Sequence, residues 1–199
     1  MNRRSGLKRA AHADAVRERI VQSGIELFLS KGFEATTVEM IAAKAGISRR
    51  SLFRYFATKE DIVLIWTAST GPALIACLNQ QTARRDPLTA ALQAVERHVA
   101  ESEDTYALAL QIGRLIAETP TLKARSYEKY YAWEQMLALA LIECGALAVN
   151  ARMASAVAVS GLRLAVQAWI DVEGRQTISN LLEASYATLR QSLTKGNKK

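Results

Sequence analysis

Arg50, Ser51 and Arg54 lie within five consecutive positions of the stretch SRRSLFRYF, residues 48–56. A guanidinium can donate two parallel hydrogen bonds to guanine O6 and N7 in the major groove of DNA, and each good pair gives about 1–3 kcal/mol of discrimination against a wrong base. A serine hydroxyl donates or accepts, so Ser51 is a less selective partner. Wound at about 100° per residue, the stretch gathers Leu52, Phe53 and Phe56 on one side, which is expected to pack inward. Arg50, Ser51 and Arg54 centre on the opposite side, flanked by Arg49 and Tyr55. Arg49, at the helix start, suits either a base or a phosphate. Thr37, Tyr55 and Lys59 can reach phosphate oxygens, contacts that set register and carry no sequence information. An Arg-x-x-x-Arg helix is also compatible with a merely solvated charged face. What precedes it decides between the two readings.

Upstream, a first helix is expected from about Ala13 to Lys31, with Val16, Ile20, Gly24, Leu27 and Phe28 on one stripe and Gly32 as its stop. Thr36 followed three residues later by Glu39 matches a capping box and starts a short helix at Thr37 or Val38. Its inward positions are Val38, Ile41, Ala42 and Ala45, and Gly46 interrupts it. Ser48 can cap a third helix. Long helix, short helix, glycine turn and short helix together fit a helix-turn-helix, which favours reading over solvation for the arginines.

Charge agrees with a polyanionic partner. The chain carries 26 Lys/Arg against 19 Asp/Glu, and 12 of those cations with only 7 of the acids precede Val63. Residues 1–12 hold Arg3, Arg4, Lys8 and Arg9 with no acid and are expected to form a basic flexible arm. The domain division expected is 1–12 arm, 13–60 DNA-binding domain and 61–199 C-terminal domain.

Other chemistries find little support. Cys77 and Cys144 are far apart, His12 and His98 are isolated, and no spacing suits a metal, so no metal site and no cofactor is expected. There is no GxSxG, HExxH or phosphate-binding glycine loop, which argues against an enzyme. The tracts ALALIECGALAV and MASAVAVSGLRLAVQAWI are broken by Glu143 and Arg163 and are expected to fall short of a membrane span. With no signal-like apolar run behind the basic N-terminus, the cytoplasm is the expected location.

Strand signals are absent and the fold class expected is all-α, with about nine helices. A fourth helix should start near Thr58 and run past Trp66 towards Gly71 and Pro72, where a kink or break is plausible. Further helices follow Pro87, surround Tyr106–Glu118, run from about Thr121 to Cys144 and from about Ala151 to Val172, and end with one from after Gly174 to about Leu193.

The run GFEATTVEMIAAKAGISRRSLFRYFATKED resembles the N-terminal signature of the TetR family of bacterial transcription regulators, matching at Gly32, Phe33, Thr36, Thr37, Val38, Ile41, Ala42, Ala45, Gly46, Ile47, Ser48, Leu52, Tyr55, Phe56, Lys59 and Glu60. Where the family often has a small-residue pair followed by Leu-Tyr, this chain has Arg49, Arg50 and Ser51, then Leu52 and Phe53, so no operator sequence carries over. The resemblance implies a homodimeric, ligand-responsive repressor that binds a palindromic operator and is released by a small effector. It also implies an effector pocket between the middle helices and a dimer interface from the last two. The positions best placed for the pocket are Trp66, His98, Leu110, Arg114, Tyr130, Trp133, Met136 and Leu137, which suggest a largely apolar effector. For the interface they are Ala154, Val157, Ala158, Gly161, Leu162, Ala165 and Trp169 on one helix and Ile178, Leu181, Leu182, Ser185, Tyr186 and Leu189 on the next. On these residues alone, the interior of one monomer explains the same pattern. The competing class is an all-helical small-molecule-binding protein or enzyme that keeps a helix-turn-helix as packing only.

Overall fold

Helix-forming residues and well-placed caps account for the architecture of the computed structural model, which describes residues 3–65, 68–80, 86–102 and 106–195. Among the described residues there are ten helices and no strand: α1 (Arg3–Lys31), α2 (Val38–Lys44), α3 (Arg49–Phe53), α4 (Lys59–Leu64), α5 (Thr70–Asn79), α6 (Pro87–Glu101), α7 (Tyr106–Glu118), α8 (Pro120–Glu143), α9 (Ala148–Asp171) and α10 (Ile178–Lys195). They form two compact units, Met1–Ala68 with Leu115–Lys123, and Ser69–Arg114 with Ala124–Lys199.

In the first unit α1 buries Val16, Ile20, Ile25 and Phe28. Gly24 lets α4 approach, because a Cβ there would lie 2.7 Å from Ile62 Cγ2. Gly32 (φ +86°) ends α1 and Gly46 (φ +69°) turns the chain between α2 and α3, both in the left-handed region where glycine is favoured. Ile41, Ala42, Ala45, Leu52 and Phe56 complete the core beneath the two short helices.

The caps refine the expected boundaries. Thr37 is the N-cap of α2, its hydroxyl oxygen accepting from Met40 N at 3.2 Å. Thr36 is not the capping residue: it is buried, and its hydroxyl faces the carbonyls of Gly32 (2.8 Å) and Leu27 (3.2 Å), tying down the end of α1. Adjacent threonines offer the same local chemistry, and burial assigns one inward and the other to the cap. Ser48 caps α3 and Thr58 forms a reciprocal capping box with Asp61 at the start of α4, both as their positions suggest.

Three expectations change here. Residues 3–12 are the first turns of α1 rather than an arm. The expected fourth helix is two helices, α4 ending at Leu64 and α5 beginning at Thr70, so Gly71 and Pro72 lie in the first turn of α5, where Pro is tolerated. The expected boundary at residue 60 moves to Ala68, because α4 packs on α1 and buries Ile62, Val63 and Leu64.

In the second unit α6 is central. Asp86 caps it, Pro87 opens it, and Ala90, Ala91, Leu92, Ala94, Val95 and Val99 are buried as it packs on α5, α9 and α10. Against the expectation for its tract, α9 is long and apolar enough to cross a membrane by length and composition. Its apolar face is used in packing instead: Ala151, Ala154, Ala158, Val159, Leu162 and Ala165 belong to the core of this unit. Gly161 admits the Tyr186 ring of α10, whose hydroxyl donates to Ala158 O at 2.7 Å. Arg190 of α10 pairs with Glu96 of α6 at 2.9 Å.

Candidate nucleic-acid interface

The cations of the first unit sort into two groups. Lys44 of α2 is paired with Glu26 of α1 at 3.0 Å, and Arg49 Nε with Glu39 Oε1 at 3.0 Å. Arg50 and Arg54 are exposed and make no ion pair among the described residues. On a five-residue helix held by the Ser48 cap and the buried Leu52, these two guanidinium groups point away from the core with their donors available. Ser51 is half-buried; its Oγ accepts from the Ser48 hydroxyl at 3.0 Å, leaving its own proton to donate.

Arg49 is committed differently from Arg50 and Arg54. Besides the Glu39 pair, its guanidinium sits 5.5 Å from the centroid of the Phe53 ring. The Glu39 carboxyl is held below the ordinary carboxylate range by its own backbone N–H, then by Thr37, with Arg49 adding to the effect. Glu39 therefore remains a carboxylate wherever Arg49 needs a partner.

Phe53 departs from the sequence expectation. It is 43% exposed, whereas Leu52 and Phe56 are buried as anticipated. Around α3 it stands about 100° from Leu52 but only about 60° from Arg50, at the border of the buried side, and the helix ends there with Arg54 as its C-cap. Arg17 of α1, which local sequence does not mark, places its guanidinium 5.4 Å from the centroid of the Phe56 ring.

Of the three expected phosphate ligands, Thr37 is exposed, its hydroxyl oxygen capping α2 while its proton serves the Glu39 carboxylate, and Tyr55 is half-buried just past the end of α3. Lys59 is engaged within the fold. Its ammonium donates to Phe33 O at 2.9 Å and Thr36 O at 3.4 Å, lies 4.2 Å from the Phe33 ring centroid, and sits 3.9 Å from a Glu34 carboxylate oxygen. The group is directed into the turn after α1, not outward beside α3. Nothing local in the sequence signals this, because the partners are carbonyls 23 and 26 residues away.

The residues expected to line a pocket do not form one set. Tyr130 and Trp133 meet edge to face with centroids 5.1 Å apart, and Trp133 and Met136 lie against Gly71 of α5, each 3.0 Å from where a Cβ would stand. Leu137 is fully buried nearby on the same helix. Burial raises the Tyr130 phenol above its ordinary value and lowers the His98 imidazole below its own. Leu110 lies elsewhere, against Gly174 in the α9–α10 turn, and Arg114 is half-buried on α7. Trp66 lies outside the described residues.

The expected dimer residues are mostly interior to the single chain. Ala154, Ala158, Gly161, Leu162, Ala165 and Trp169 of α9 and Leu182 and Tyr186 of α10 are buried within the protomer. Val157, Ile178, Leu181 and Leu189 are half-buried, and Ser185 is exposed. Small residues permit close approach to any helix, and here the partners are α6 and α10 of the same chain. The opposite face of α9 exposes Val149, Met153 and Leu164, which fall within about 60° of one another around the helix.

A capped recognition helix that follows a glycine turn and offers two arginines with no ion pair among the described residues defines the first unit as a helix-turn-helix DNA-binding domain. Residues 20–64 match the family of bacterial regulatory proteins of the tetR type, and residues 82–194 match the MftR C-terminal domain. The chain belongs to the TetR family. It is 34% identical over 128 residues to the HTH-type transcriptional regulator TcmR of Streptomyces glaucescens, covering 61% of this chain and 57% of that one. It is 37% identical over 119 residues to the putative mycofactocin biosynthesis transcriptional regulator MftR of Mycobacterium tuberculosis, covering 57% of this chain and 58% of that one. The matches thus span little more than half the length of these curated relatives. Among solved structures, the TetR-family repressor FadR of Thermus thermophilus, in complex with lauroyl-CoA, superposes with a TM-score of 0.57 at 22% identity over 87% of this chain and 92% of that one. The fatty acid degradation regulator FadR of Bacillus halodurans gives 0.59 at 16% identity over 87% and 94%. At these identities the likeness is one of fold.

Proposed function

We propose that the protein is a homodimeric, ligand-responsive transcriptional repressor acting in the cytoplasm, which binds a palindromic operator through two copies of α3 and is released by a largely apolar small molecule. The observation that carries this reading is the sorting of charge around α3: Arg50 and Arg54 are left available while Lys44, Arg49 and Lys59 are engaged by the fold. Arg50 and Arg54 read guanines, Ser51 contributes a less selective contact, and Thr37 and Tyr55 hold the backbone. A two-fold axis places the two recognition helices in successive major grooves. The exposed face of α9, with Val149, Met153 and Leu164, supplies a surface for a second copy.

The effector reading rests on Tyr130, Trp133 and Met136 beside Gly71, an aromatic and thioether surface suited to an apolar chain. An acyl-CoA is the first ligand to test, being the ligand class bound by the Thermus protein of the same fold. An effector that favours a conformation with mis-spaced recognition helices lowers operator affinity, with a coupling of about 1–3 kcal/mol in typical cases.

Selection of bound sequences from a random duplex pool by the full chain tests the proposal. The expected product is one palindrome preferred over bulk duplex by a factor on the order of 10³ or more. Equal affinity for every duplex refutes the reading. Acyl-CoAs of varied chain length, added to the selected complex, then test the effector class by release.

A further inference from the structure

Phe53 is a large apolar side chain, 43% exposed, on the helix that carries the candidate base readers. Isolated exposed apolar residues are common and by themselves mean little. This one stands beside Arg50: around the helix axis Arg50 falls between Phe53 and Arg54, about 60° from the first and 40° from the second. A helix that enters the major groove with Arg50 and Arg54 towards the bases brings Phe53 in with them.

The ring is also held. Arg49 lies 5.5 Å from its centroid and is itself fixed by Glu39 at 3.0 Å, so a carboxylate on α2 orients a guanidinium that covers one side of a ring on α3. The rest of the ring remains exposed. Phenylalanine has no hydroxyl, so it cannot donate to a phosphate as a tyrosine can. The one apolar group displayed by a base in the major groove is the thymine C5-methyl.

We propose that Phe53 is a specificity-determining residue that reads a thymine methyl in each half-site, next to the guanines read by Arg50 and Arg54, with Glu39 and Arg49 positioning the ring. This rests on the reading of α3 as a recognition helix. Glu39 is then a positioning residue of the interface, although it is an acid on a surface that meets a polyanion. Its charge is neutralised by Arg49, which explains how the surface tolerates it.

The test uses the full chain and the operator selected from the random pool, with each thymine replaced singly by deoxyuridine. That change deletes one methyl and leaves base pairing intact. At one thymine per half-site the replacement should weaken the wild-type protein about fourfold, the worth of one buried methyl-sized group. The Phe53→Ala variant should bind thymine and uracil forms equally while keeping its guanine preference, and Phe53→Leu should retain part of the methyl dependence. Circular dichroism confirms that each variant is folded, as expected for an exposed site. A wild-type protein indifferent to every deoxyuridine, or a Phe53→Ala variant as methyl-dependent as wild type, overturns the inference while leaving a sequence-specific regulator intact. If the wild-type protein selects no duplex at all, the recognition-helix reading fails first and this inference with it.

Discussion

Replacing Lys59 by alanine separates a structural lysine from a phosphate-binding one. The ammonium donates to the Phe33 carbonyl at 2.9 Å and lies 4.2 Å from the Phe33 ring centroid, with a side chain only 20% exposed. A hydrogen bond from a charged donor contributes about 1.5–3 kcal/mol, and the ring contact about 0.5–1 kcal/mol. The Glu34 contact at 3.9 Å, to a largely exposed carboxylate, adds little. Lys59→Ala should therefore cost about 2–4 kcal/mol in the first unit. Hydrogen exchange followed by mass spectrometry should show lost protection over residues 33–60, and a urea titration the lower stability. A lysine on phosphate would announce itself in the salt titration of operator binding, where each lost contact reduces the slope of log K against log salt by about 0.9. The slope should stay unchanged. Unchanged exchange together with a slope reduced by about 0.9 per Lys59 would refute the assignment and restore the phosphate role.

The remaining predictions concern stability and are read by urea unfolding of the full chain. Gly161→Ala should lose about 2 kcal/mol, because the new methyl overlaps Tyr186 Cε1 and lies 3.1 Å from Cζ, a strain larger than the helix-propensity gain of about 1 kcal/mol; in a Tyr186→Leu background the same change should be neutral or stabilising. Ser155→Ala should stabilise by about 1 kcal/mol, since Ser155 Oγ is buried with no hydrogen-bond partner among the described residues, and a loss of stability would show that the hydroxyl is satisfied in solution. Asp86→Ala should cost about 1 kcal/mol at neutral pH. The Thr89 side chain and then its backbone N–H hold the Asp86 carboxyl below the ordinary aspartate range, so this contribution is present above that range and is lost as pH falls through the lowered value; the gap between wild type and variant should close below about pH 4.

The parts of this molecule legible in its sequence are those decided by neighbours along the chain. Ser48 and Thr58 cap their helices because cap chemistry spans only three residues, and Gly32 and Gly46 mark turns because their backbone conformation is one glycine tolerates. The parts that were not legible depend on distant partners. Lys59 finds carbonyls across the turn after α1. Thr36 and Thr37 exchange roles according to which one is buried. The small residues of α9 can receive any helix, and only the three-dimensional path of α10 assigns Gly161 to Tyr186. Phe53 was misplaced for a local reason: around α3 it stands about 100° from Leu52 and about 60° from Arg50, at the border between the buried and exposed sides.

That shortness has a consequence for genetics. Isolated helices below about 12–15 residues are marginal in water, and α2 and α3 have seven and five. Their shape is on loan from Ile20, Phe28, Ile41, Leu52 and Phe56, none of which is placed to touch DNA. A screen for alleles that lose promoter control should therefore return two kinds of mutant in one phenotype: those at Arg50 and Arg54, defective at every temperature, and conservative changes at the buried positions, defective only when warm. Heat sensitivity, with the second unit still folded, would tell a damaged scaffold from a damaged reader without a structure of either mutant.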